Sequence, residues 1–396
     1  MKRVGIVVPR CHPTLVGGAE ALAWQYATLL ADRYEVEVLT STATDYTTWR
    51  NELREGIEHR DGVAIHRFGV QRERSGYFHT LHASLLADAS RYPTGAETLR
   101  WTEALQEEFI RAQGPQCPGL VAHLATQGDQ YAVILFVTYL YSTTYDGVRT
   151  LRHRRWAVVP TLHDEPSAHL TVFKWMARCA PRLLWNTHAE QRLGQRIWGR
   201  GDGGIVSMWI QTRRLPAAAT GDPYLVYCGR IDSHKGCATL ISGFEAYKRA
   251  NASELRLLLT GADKLGVVET ADVRYLGFVD ESRKFELMAG ALAFVHPSPY
   301  ESLSIVVLEA MAQGTPVIVN GRCEVLADHV EASGGGWVFR DEDGLHAAID
   351  TVRALTPAER DAIGQRAREY VLAHYDREAV RERLFAEIEL LAAAPR

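Results

Sequence analysis

The chain has 396 residues, of which 46% are hydrophobic and 23% are charged, and its formal net charge is −4 at pH 7. These are ordinary values for a globular protein, and the length predicts two domains that each bury a core. The sequence lacks an uninterrupted stretch of roughly 18 apolar residues, so it predicts no transmembrane span. Its six cysteines include no CxxC pair and no zinc-like Cys/His spacing, which argues against a zinc site.

The N-terminal segment predicts a strand, a loop and a helix. Residues 4–8 are apolar, and the loop that follows contains the pair Gly17-Gly18. Glycines at a strand-to-helix turn allow the backbone to approach a ligand closely. An ordinary flexible loop is the alternative. The apolar run is too short for a signal peptide and lacks a small-residue cleavage site, so we expect a cytoplasmic protein.

A run rich in tyrosine and hydroxyl side chains follows a predicted strand at residues 132–137. Tyr139, Tyr141 and Thr143 lie in this run. Aromatic rings and hydroxyl groups suit a carbohydrate or aglycone acceptor. A core strand followed by a capped helix explains the same residues equally well.

A second strand in this half ends in polar residues. Residues 156–161 predict the strand, and His163, Asp164 and Glu165 follow it. Asp164 or Glu165 is suitably placed to orient the imidazole of His163. A single histidine in such a position is more often structural than catalytic.

Arginines cluster within residues 152–155 and 192–200. A solvated helix face is the simpler explanation for both clusters. The alternative is an anionic lipid or a phosphorylated acceptor, which leaves open a peripheral contact with the inner face of the membrane. Nucleic-acid binding is not supported.

Strands are predicted on both sides of a Gly-rich break at residues 199–204. They are expected near residues 4–8, 35–40, 63–68, 132–137, 156–161, 183–186, 224–229, 256–260, 273–276, 293–297, 316–319 and 335–339. Helices of the second half are expected near residues 238–250, 282–291, 303–313 and 343–354. This alternation predicts two doubly wound parallel sheets.

The second half begins with a buried strand that leads into a basic loop. The loop is Gly229-Arg230-Ile231-Asp232-Ser233-His234-Lys235-Gly236. Gly229 permits a tight turn, and an Arg fork with a Lys point charge is a common way to hold a diphosphate. A solvated basic loop ahead of a helix is the alternative.

Two glutamates lie in a later strand–loop–helix–strand segment. Glu301 precedes the predicted helix and Glu309 lies inside it. Ligands of open α/β sheets bind beyond the carboxyl ends of the strands, and the amides of Ser302-Leu303-Ser304 can hold phosphate or sugar oxygens there. Glu301 suits a sugar hydroxyl, and ribose hydroxyls are donors that a buried Glu309 would need. The alternative is one glutamate near a helix cap and one on a solvated helix face.

Together, the segments 229–236 and 301–319 resemble the donor-binding domain of glycosyltransferase family 4, the retaining enzymes of GT-B fold. The resemblance extends more loosely over most of the chain. It implies two Rossmann-like doubly wound domains that face each other across a cleft. Residues 1–199 would then bind the acceptor and residues 200–376 the nucleotide-sugar donor. A helix in residues 377–396 would cross back to the N-terminal domain.

The resemblance also implies roles for particular residues. Arg230 and Lys235 correspond to the family's diphosphate ligands, with Gly229 in the same donor-binding loop. Glu301 corresponds to the glutamate that approaches the donor sugar, and Glu309 to the one that binds the ribose.

Further roles concern the first half and one departure from the family pattern. Gly17 and Gly18 correspond to the loop that faces the diphosphate, and His163 to a histidine that faces the reacting sugar. The family usually carries a Gly-Phe-Gly-like run after its first glutamate, where this chain has Ser302-Leu303-Ser304. The amides remain available there, but the side chains change which sugar fits.

We therefore expect a retaining glycosyltransferase that uses a UDP- or GDP-linked sugar in surface polysaccharide or glycoconjugate assembly. Its acceptor would be a carbohydrate, a lipid-linked molecule or a small molecule. We expect no cofactor and no metal, because no Asp-x-Asp motif stands out and the basic pair neutralises the diphosphate. A sugar-nucleotide epimerase and a non-catalytic binding protein are the alternatives. An oxidoreductase would need the GxGxxG fingerprint that the sequence lacks.

Overall fold

The chain forms two compact units. The computed structural model describes residues 1–13, 17–91, 101–218 and 221–394. The first unit comprises Met1–Met208 together with Arg381–Arg396, and the second comprises Trp209–Val380. The boundary therefore lies beyond the Gly-rich break, and the C-terminal segment belongs to the first unit.

The first unit alternates strands with helices. Its elements are β1 (Arg3–Val7), α1 (Gly18–Leu30), β2 (Glu35–Ser41), β3 (Gly56–Arg60), β4 (Val63–Phe68), α2 (Gly76–Arg91), α3 (Glu103–Gln113), α4 (Pro118–Gln127), β5 (Val133–Val137), α5 (Ser142–Val148), β6 (Trp156–Val159), α6 (Thr171–Cys179), β7 (Arg182–Trp185), α7 (His188–Trp198) and β8 (Gly204–Ile205).

The second unit has the same alternation. Its elements are β9 (Tyr224–Cys228), α8 (Cys237–Ala250), β10 (Arg256–Thr260), β11 (Val273–Tyr275), α9 (Glu281–Gly290), β12 (Ala293–His296), α10 (Ile305–Ala312), β13 (Val317–Asn320), α11 (Glu324–Ser333), β14 (Gly336–Phe339), α12 (Glu342–Ala354) and α13 (Pro357–Tyr375). The last helix, α14 (Arg377–Ala393), begins in this unit and ends in the first.

The first sheet has the strand order β3-β4-β2-β1-β5-β6-β7-β8. Only the β3–β4 pairing is antiparallel among its pairs. Strand β1 lies between β2 and β5, so the winding direction reverses there. The crevice beyond the carboxyl ends of β1 and β5 is therefore the expected ligand position in this unit.

The second sheet has the order β11-β10-β9-β12-β13-β14 and is parallel throughout. Its winding direction reverses between β9 and β12. The loops that leave these two strands carry the basic segment 229–236 and Glu301. The topology thus brings both sequence motifs to the switch point of this sheet.

The central strands of both sheets are continuous apolar runs. Every residue of β5 and of β9 is buried. Such runs are typical of parallel strands that are covered by helices on both faces. The prediction of two parallel α/β sheets is therefore confirmed. Each described helix is too short or too polar to cross a membrane.

Two short strands of the first sheet escape the sequence prediction. Strand β3 is almost wholly exposed at the sheet edge and has no apolar alternation. Strand β8 begins at Gly204, the last residue of the Gly-rich segment that predicted a domain boundary, and it pairs with β7. A Cβ on Gly203 would lie 2.0 Å from the carbonyl oxygen of Leu183, so this glycine allows close packing on β7. The segment is thus part of the first sheet, which corrects the predicted boundary at residue 199.

Helix α10 begins later than residue 303, where the sequence predicts it. Ser304 is its N-cap and has φ 64° and ψ 70°, a left-handed conformation that an α-helix excludes. Ser302-Leu303-Ser304 therefore forms the loop that leads into the helix.

Candidate functional site

The basic loop leaves β9 through a close contact with β10. Gly229 has φ 145°, a conformation that favours glycine. Its amide donates to the carbonyl of Thr260 at 3.0 Å. A Cβ on Gly261 would lie 1.9 Å from the carbonyl oxygen of Gly229. The two glycines thus let the loops after β9 and β10 touch, which fixes the start of the basic loop.

Asp232 organises the two basic residues of this loop. Its carboxylate accepts a hydrogen bond from Nε of Arg230 and another from the backbone amide of Lys235 at 2.8 Å. Asp232 is 9% exposed, whereas the side chain of Arg230 is 44% exposed. The buried acid therefore anchors a guanidinium that still reaches solvent.

Lys235 and Glu301 join the two loops of the switch point. Nζ of Lys235 donates to Oε1 of Glu301 at 2.7 Å. Nε2 of His296 lies 2.8 Å from the same oxygen. The structure thus brings together Arg230, Lys235 and Glu301, which the sequence placed on two separate segments.

These partners keep Glu301 ionised in a buried position. Burial raises the pKa of this carboxyl group, but the hydrogen bond and charge of His296 and the charge of Lys235 outweigh it, and the pKa falls below its usual range. Only 11% of the side chain is exposed. Glu301 is therefore a buried carboxylate with two fixed donors.

Sequence reasoning missed His296, the last residue of β12. Its ring is 3% exposed and stacks against the rings of Tyr227 and Phe294, with interplanar angles of 9° and 17°. The buried Nδ1 has no hydrogen-bond partner. A signal existed, since His296 ends a strand five residues before Glu301, but the sequence analysis treated it only as part of the predicted strand at residues 293–297.

Buried contacts fix the loop of Ser302-Leu303-Ser304. Leu303 is 4% exposed, and its carbonyl lies 2.8 Å from Nε2 of the buried His329. Burial lowers the pKa of His329, which favours the neutral ring. Ser304 is 5% exposed, and its Oγ has no partner. The side chains of Leu303 and Ser304 are thus buried beneath the loop, and Ser302 is half-buried.

Glu309 lies in a second ion pair. Nζ of Lys284, on α9, donates to both carboxylate oxygens at 2.8 Å. Burial raises the pKa of Glu309, while the charge of Lys284 opposes that rise. From the sequence, we predict that ribose hydroxyls are the donors that a buried Glu309 needs. In the protein alone, Lys284 is that donor.

The glycine pair of the first unit opens α1. Gly17 is the N-cap of the helix, and a Cβ on it would lie 2.1 Å from Oε2 of Glu20. A Cβ on Gly18 would meet no atom within 4 Å. The preceding loop residues 14–16 lie outside the described residues.

His163 lies half-buried after β6, and its two acidic neighbours bind other groups. Asp164 lies 2.8 Å from Nε2 of His169. Glu165 accepts a hydrogen bond from the hydroxyl of Tyr139 at 2.7 Å. The expectation that one of these acids orients the His163 ring is therefore corrected.

The three acceptor candidates differ in burial. Tyr139 and Thr143 are each 1% exposed. Tyr139 packs edge-on against Phe173, as a core residue does. Tyr141 is half-buried and packs edge-on against Trp49. The core-strand alternative therefore describes Tyr139 and Thr143, and only Tyr141 of the three is partly exposed.

Comparison with known proteins adds to this geometry. Residues 211–370 match the family model described as glycosyl transferases group 1. A glycogen synthase of Mycobacterium tuberculosis is 26% identical over 326 residues, which cover 74% of this chain and 76% of that protein. These similarities support a glycosyltransferase of GT-B fold.

Solved structures of similar proteins agree with this fold. Sucrose-phosphate synthase of Thermosynechococcus elongatus has a TM-score of 0.71 at 19% identity, covering 99% of this chain and 100% of that one. HepE of Anabaena, in complex with UDP-glucose, has a TM-score of 0.68 at 16% identity, covering 98% and 100%. The GT-B fold that the sequence resemblance implied is confirmed. The family-4 assignment is consistent with these names.

Some arginines of the two clusters have structural roles in this glycosyltransferase. Nε of Arg155 donates to the carbonyl of Ala394 at 3.0 Å. Arg200 binds the carboxylate of Asp202 and three carbonyl groups at the end of α6. Arg192 and Arg196 are exposed on α7. The clusters therefore mix structural anchors with solvated positions.

The paired state of Glu301 predicts a pH dependence. Its pKa is lower in the folded state, so the ionised carboxylate stabilises the fold above pH ~4.3, the usual glutamate value, and this contribution is lost as the pH falls. In Lys235→Met, one charge that lowers the pKa is gone, so the pKa of Glu301 should rise toward its usual range. NMR titration of ¹³C-labelled carboxyl groups measures this, with Glu301→Gln identifying the signal. Lys264→Met, which changes an exposed lysine, is the control. An unchanged Glu301 pKa in Lys235→Met contradicts the assignment.

Proposed function

We propose that this glycosyltransferase moves a sugar from a nucleoside-diphospho-sugar, UDP- or GDP-linked, to an acceptor hydroxyl with retention of anomeric configuration. The observation that carries the proposal is the cluster of Arg230, Lys235 and Glu301 at the switch point of the second sheet. This cluster combines two cations for a diphosphate with a carboxylate for a sugar hydroxyl. The UDP-glucose complex of the structurally similar HepE supports a UDP-linked donor.

The two cations would stabilise the leaving diphosphate. As the bond between the anomeric carbon and the phosphate oxygen breaks, negative charge grows on that oxygen. Fixed positive groups at this position lower the barrier because they need no reorganisation. Arg230 is anchored by Asp232, and Lys235 by Glu301. Lys235 would share its charge between Glu301 and the incoming diphosphate.

The two glutamates would contact different parts of the donor. Glu301 lies in the loop between β12 and α10, and the resemblance assigns it to the sugar. Glu309 is inside α10 and is assigned to the ribose. Its carboxylate has several lone-pair sites, so it can accept from ribose hydroxyls while Lys284 stays in contact.

Retention follows from how the proton is handled. We assign no carboxylate to the role of general base, and the leaving phosphate oxygen accepts the proton of the acceptor hydroxyl. The new bond then forms on the face from which the diphosphate leaves. His163 keeps the role that the resemblance implies, next to the reacting sugar. Surface polysaccharide or glycoconjugate assembly is the pathway we propose, and the glycogen synthase relative supports a glycan product.

A donor screen with mass-spectrometric product detection tests the reaction. We expect a glycosylated acceptor and a free nucleoside diphosphate. Conversion of the donor sugar without an acceptor would instead indicate an epimerase. Donor binding without any product would indicate a binding protein.

Arg230→Ala and Lys235→Ala should each lower turnover strongly and leave the fold intact. Each removes a charge-assisted contact to the diphosphate, so we expect losses of roughly 10- to 100-fold in kcat/KM. Steady-state kinetics and circular dichroism measure the two effects. Arg249→Ala, an exposed change at the end of α8, is the matched control. Near-normal kcat/KM in both variants would remove this diphosphate site.

Glu309→Gln should weaken the binding of a free nucleoside diphosphate by roughly 10- to 100-fold, because it removes a charged acceptor from the ribose. Glu301→Gln should keep that affinity and lower turnover, because the only part of the donor that this carboxylate contacts is the sugar, and the amide can still accept from Lys235. Calorimetry with UDP and GDP, alongside steady-state rates, measures both. Glu331→Gln, an exposed change on α11, is the control. Equal losses of nucleotide affinity in the two variants would refute this division of roles.

We also propose that the reaction needs no metal ion, because Arg230 and Lys235 supply the positive charge. Activity should survive EDTA. Loss of activity on chelation, with rescue by manganese or magnesium, would contradict this. Within the described ranges, one group with metal-ligand spacing is Glu37, His66 and His123, which belongs to the first unit.

A further inference from the structure

An arginine cluster lies at the switch point of the first sheet. We define it as Arg10, Tyr46, Trp49, Arg74 and Tyr141. Arg10 follows β1, Tyr46 and Trp49 follow β2, Arg74 follows β4, and Tyr141 follows β5. All five therefore come from the carboxyl ends of neighbouring strands, where open α/β sheets bind ligands.

Arg74 is held over aromatic rings. Its backbone amide donates to the carbonyl of Thr48 at 2.8 Å, and its Nε donates to the carbonyl of Gln113 at 3.2 Å. The guanidinium carbon lies 5.5 Å from the ring centre of Trp49 and 4.6 Å from that of Phe78. The position of this cation is thus fixed without a counter-ion.

Arg10 also contacts the loop that follows β2, and it has a carboxylate partner. Its guanidinium forms an ion pair with Glu20 and donates to the carbonyl of Thr44 at 2.7 Å. It also lies 5.1 Å from the ring centre of Tyr46. Arg10 is 9% exposed, and its Nε is buried without a hydrogen-bond partner.

Two carboxylates, those of Glu20 and Asp45, lie near the two cations of the cluster, and among the described residues neither forms a direct ion pair with Arg74. Glu20 pairs with Arg10, and Asp45 is bound by the hydroxyl groups of Thr47 and Thr48. In the part of the chain that the structure describes, Arg74 forms no ion pair, and one of its terminal nitrogens is buried without a partner. A half-buried charge in this state is costly unless another group meets it.

The surroundings fit a small polar ligand. Tyr141 packs edge-on against Trp49, with 5.4 Å between ring centres, so its ring lies in the cluster. Desolvation by burial raises the pKa of Tyr141 to about 12, so its hydroxyl stays a neutral donor. A Cβ on Gly18, at the start of α1, would meet no atom of the described residues within 4 Å.

We propose that the arginine cluster binds an anionic group, a phosphate monoester or a carboxylate, on the acceptor substrate, with Arg74 as its main ligand. A guanidinium donates charge-assisted hydrogen bonds to either group. Tyr46 and Tyr141 supply rings and hydroxyls for the adjoining part of the acceptor. This inference rests on the proposed function, since it names the chemical class of that reaction's acceptor.

Binding experiments without donor test the site. Glucose 6-phosphate, glucuronate, inorganic phosphate and neutral glucose are titrated into the full-length protein and followed by NMR and calorimetry. Arg74→Met keeps the aliphatic stem over the rings and removes the charge, and it should weaken the anionic sugars about 10- to 100-fold. Arg74→Lys keeps the charge without the fork and should lie between Arg74→Met and the wild type. Arg72→Met, an exposed change in the same loop, should leave binding unchanged.

The outcomes distinguish a phosphate ligand from a carboxylate ligand. They also test this inference separately from the proposed function. Tighter binding of glucose 6-phosphate assigns the site to phosphate, and tighter binding of glucuronate assigns it to carboxylate. Glucose binding as tightly as both anionic sugars, or equal affinities in Arg74→Met and the wild type, would overturn the inference. Arg74-dependent binding in a protein that transfers no sugar would contradict the proposed function alone. Transfer to neutral acceptors by a protein that binds neither anionic sugar would overturn this inference alone.

Discussion

The proposed donor site depends on one buried ion pair, between Lys235 and Glu301. It joins the loops that leave β9 and β12, the two strands where the second sheet reverses its winding. A carboxylate in this position would be strongly destabilising alone, because water cannot solvate it. Lys235 and His296 supply the missing donors, and both come from segments that the sheet brings to one edge. The positions of the loops, the ionisation of Glu301 and the reach of Lys235 are therefore fixed together.

The sequence predicts the parts of this site that depend on backbone pattern. Apolar runs followed by glycine or charged residues mark the strands and their carboxyl ends, and parallel topology then gathers those ends. Partners such as His296 and Lys284 are not predictable in the same way, because they depend on side-chain directions across different elements. The sequence analysis missed helix α13, although the Thr356-Pro357-Ala358-Glu359 run is a capping-box signature that marks its start.

The first unit shows why polar residues after a strand are ambiguous. Tyr139 and Tyr141 are two positions apart, yet the hydroxyl of Tyr139 turns inward to Glu165 and the ring of Tyr141 packs on Trp49. Helix α5 begins directly after Tyr141, at Ser142, so the chain turns within these few residues. Composition alone therefore identified the segment but did not separate core residues from edge residues.

The cations at the two switch points have different partners, and this difference affects the binding of an anion. In the second unit, Lys235 and Lys284 each have a carboxylate partner in the protein alone. A ligand that recruits these cations must share them with Glu301 and Glu309, so part of the interaction energy replaces contacts that already exist. In the described part of the first unit, Arg74 has aromatic and carbonyl contacts but no carboxylate. An anion there would gain a cation that is already in position and would break no ion pair of Arg74. One such group on the acceptor would therefore contribute to affinity out of proportion to its size.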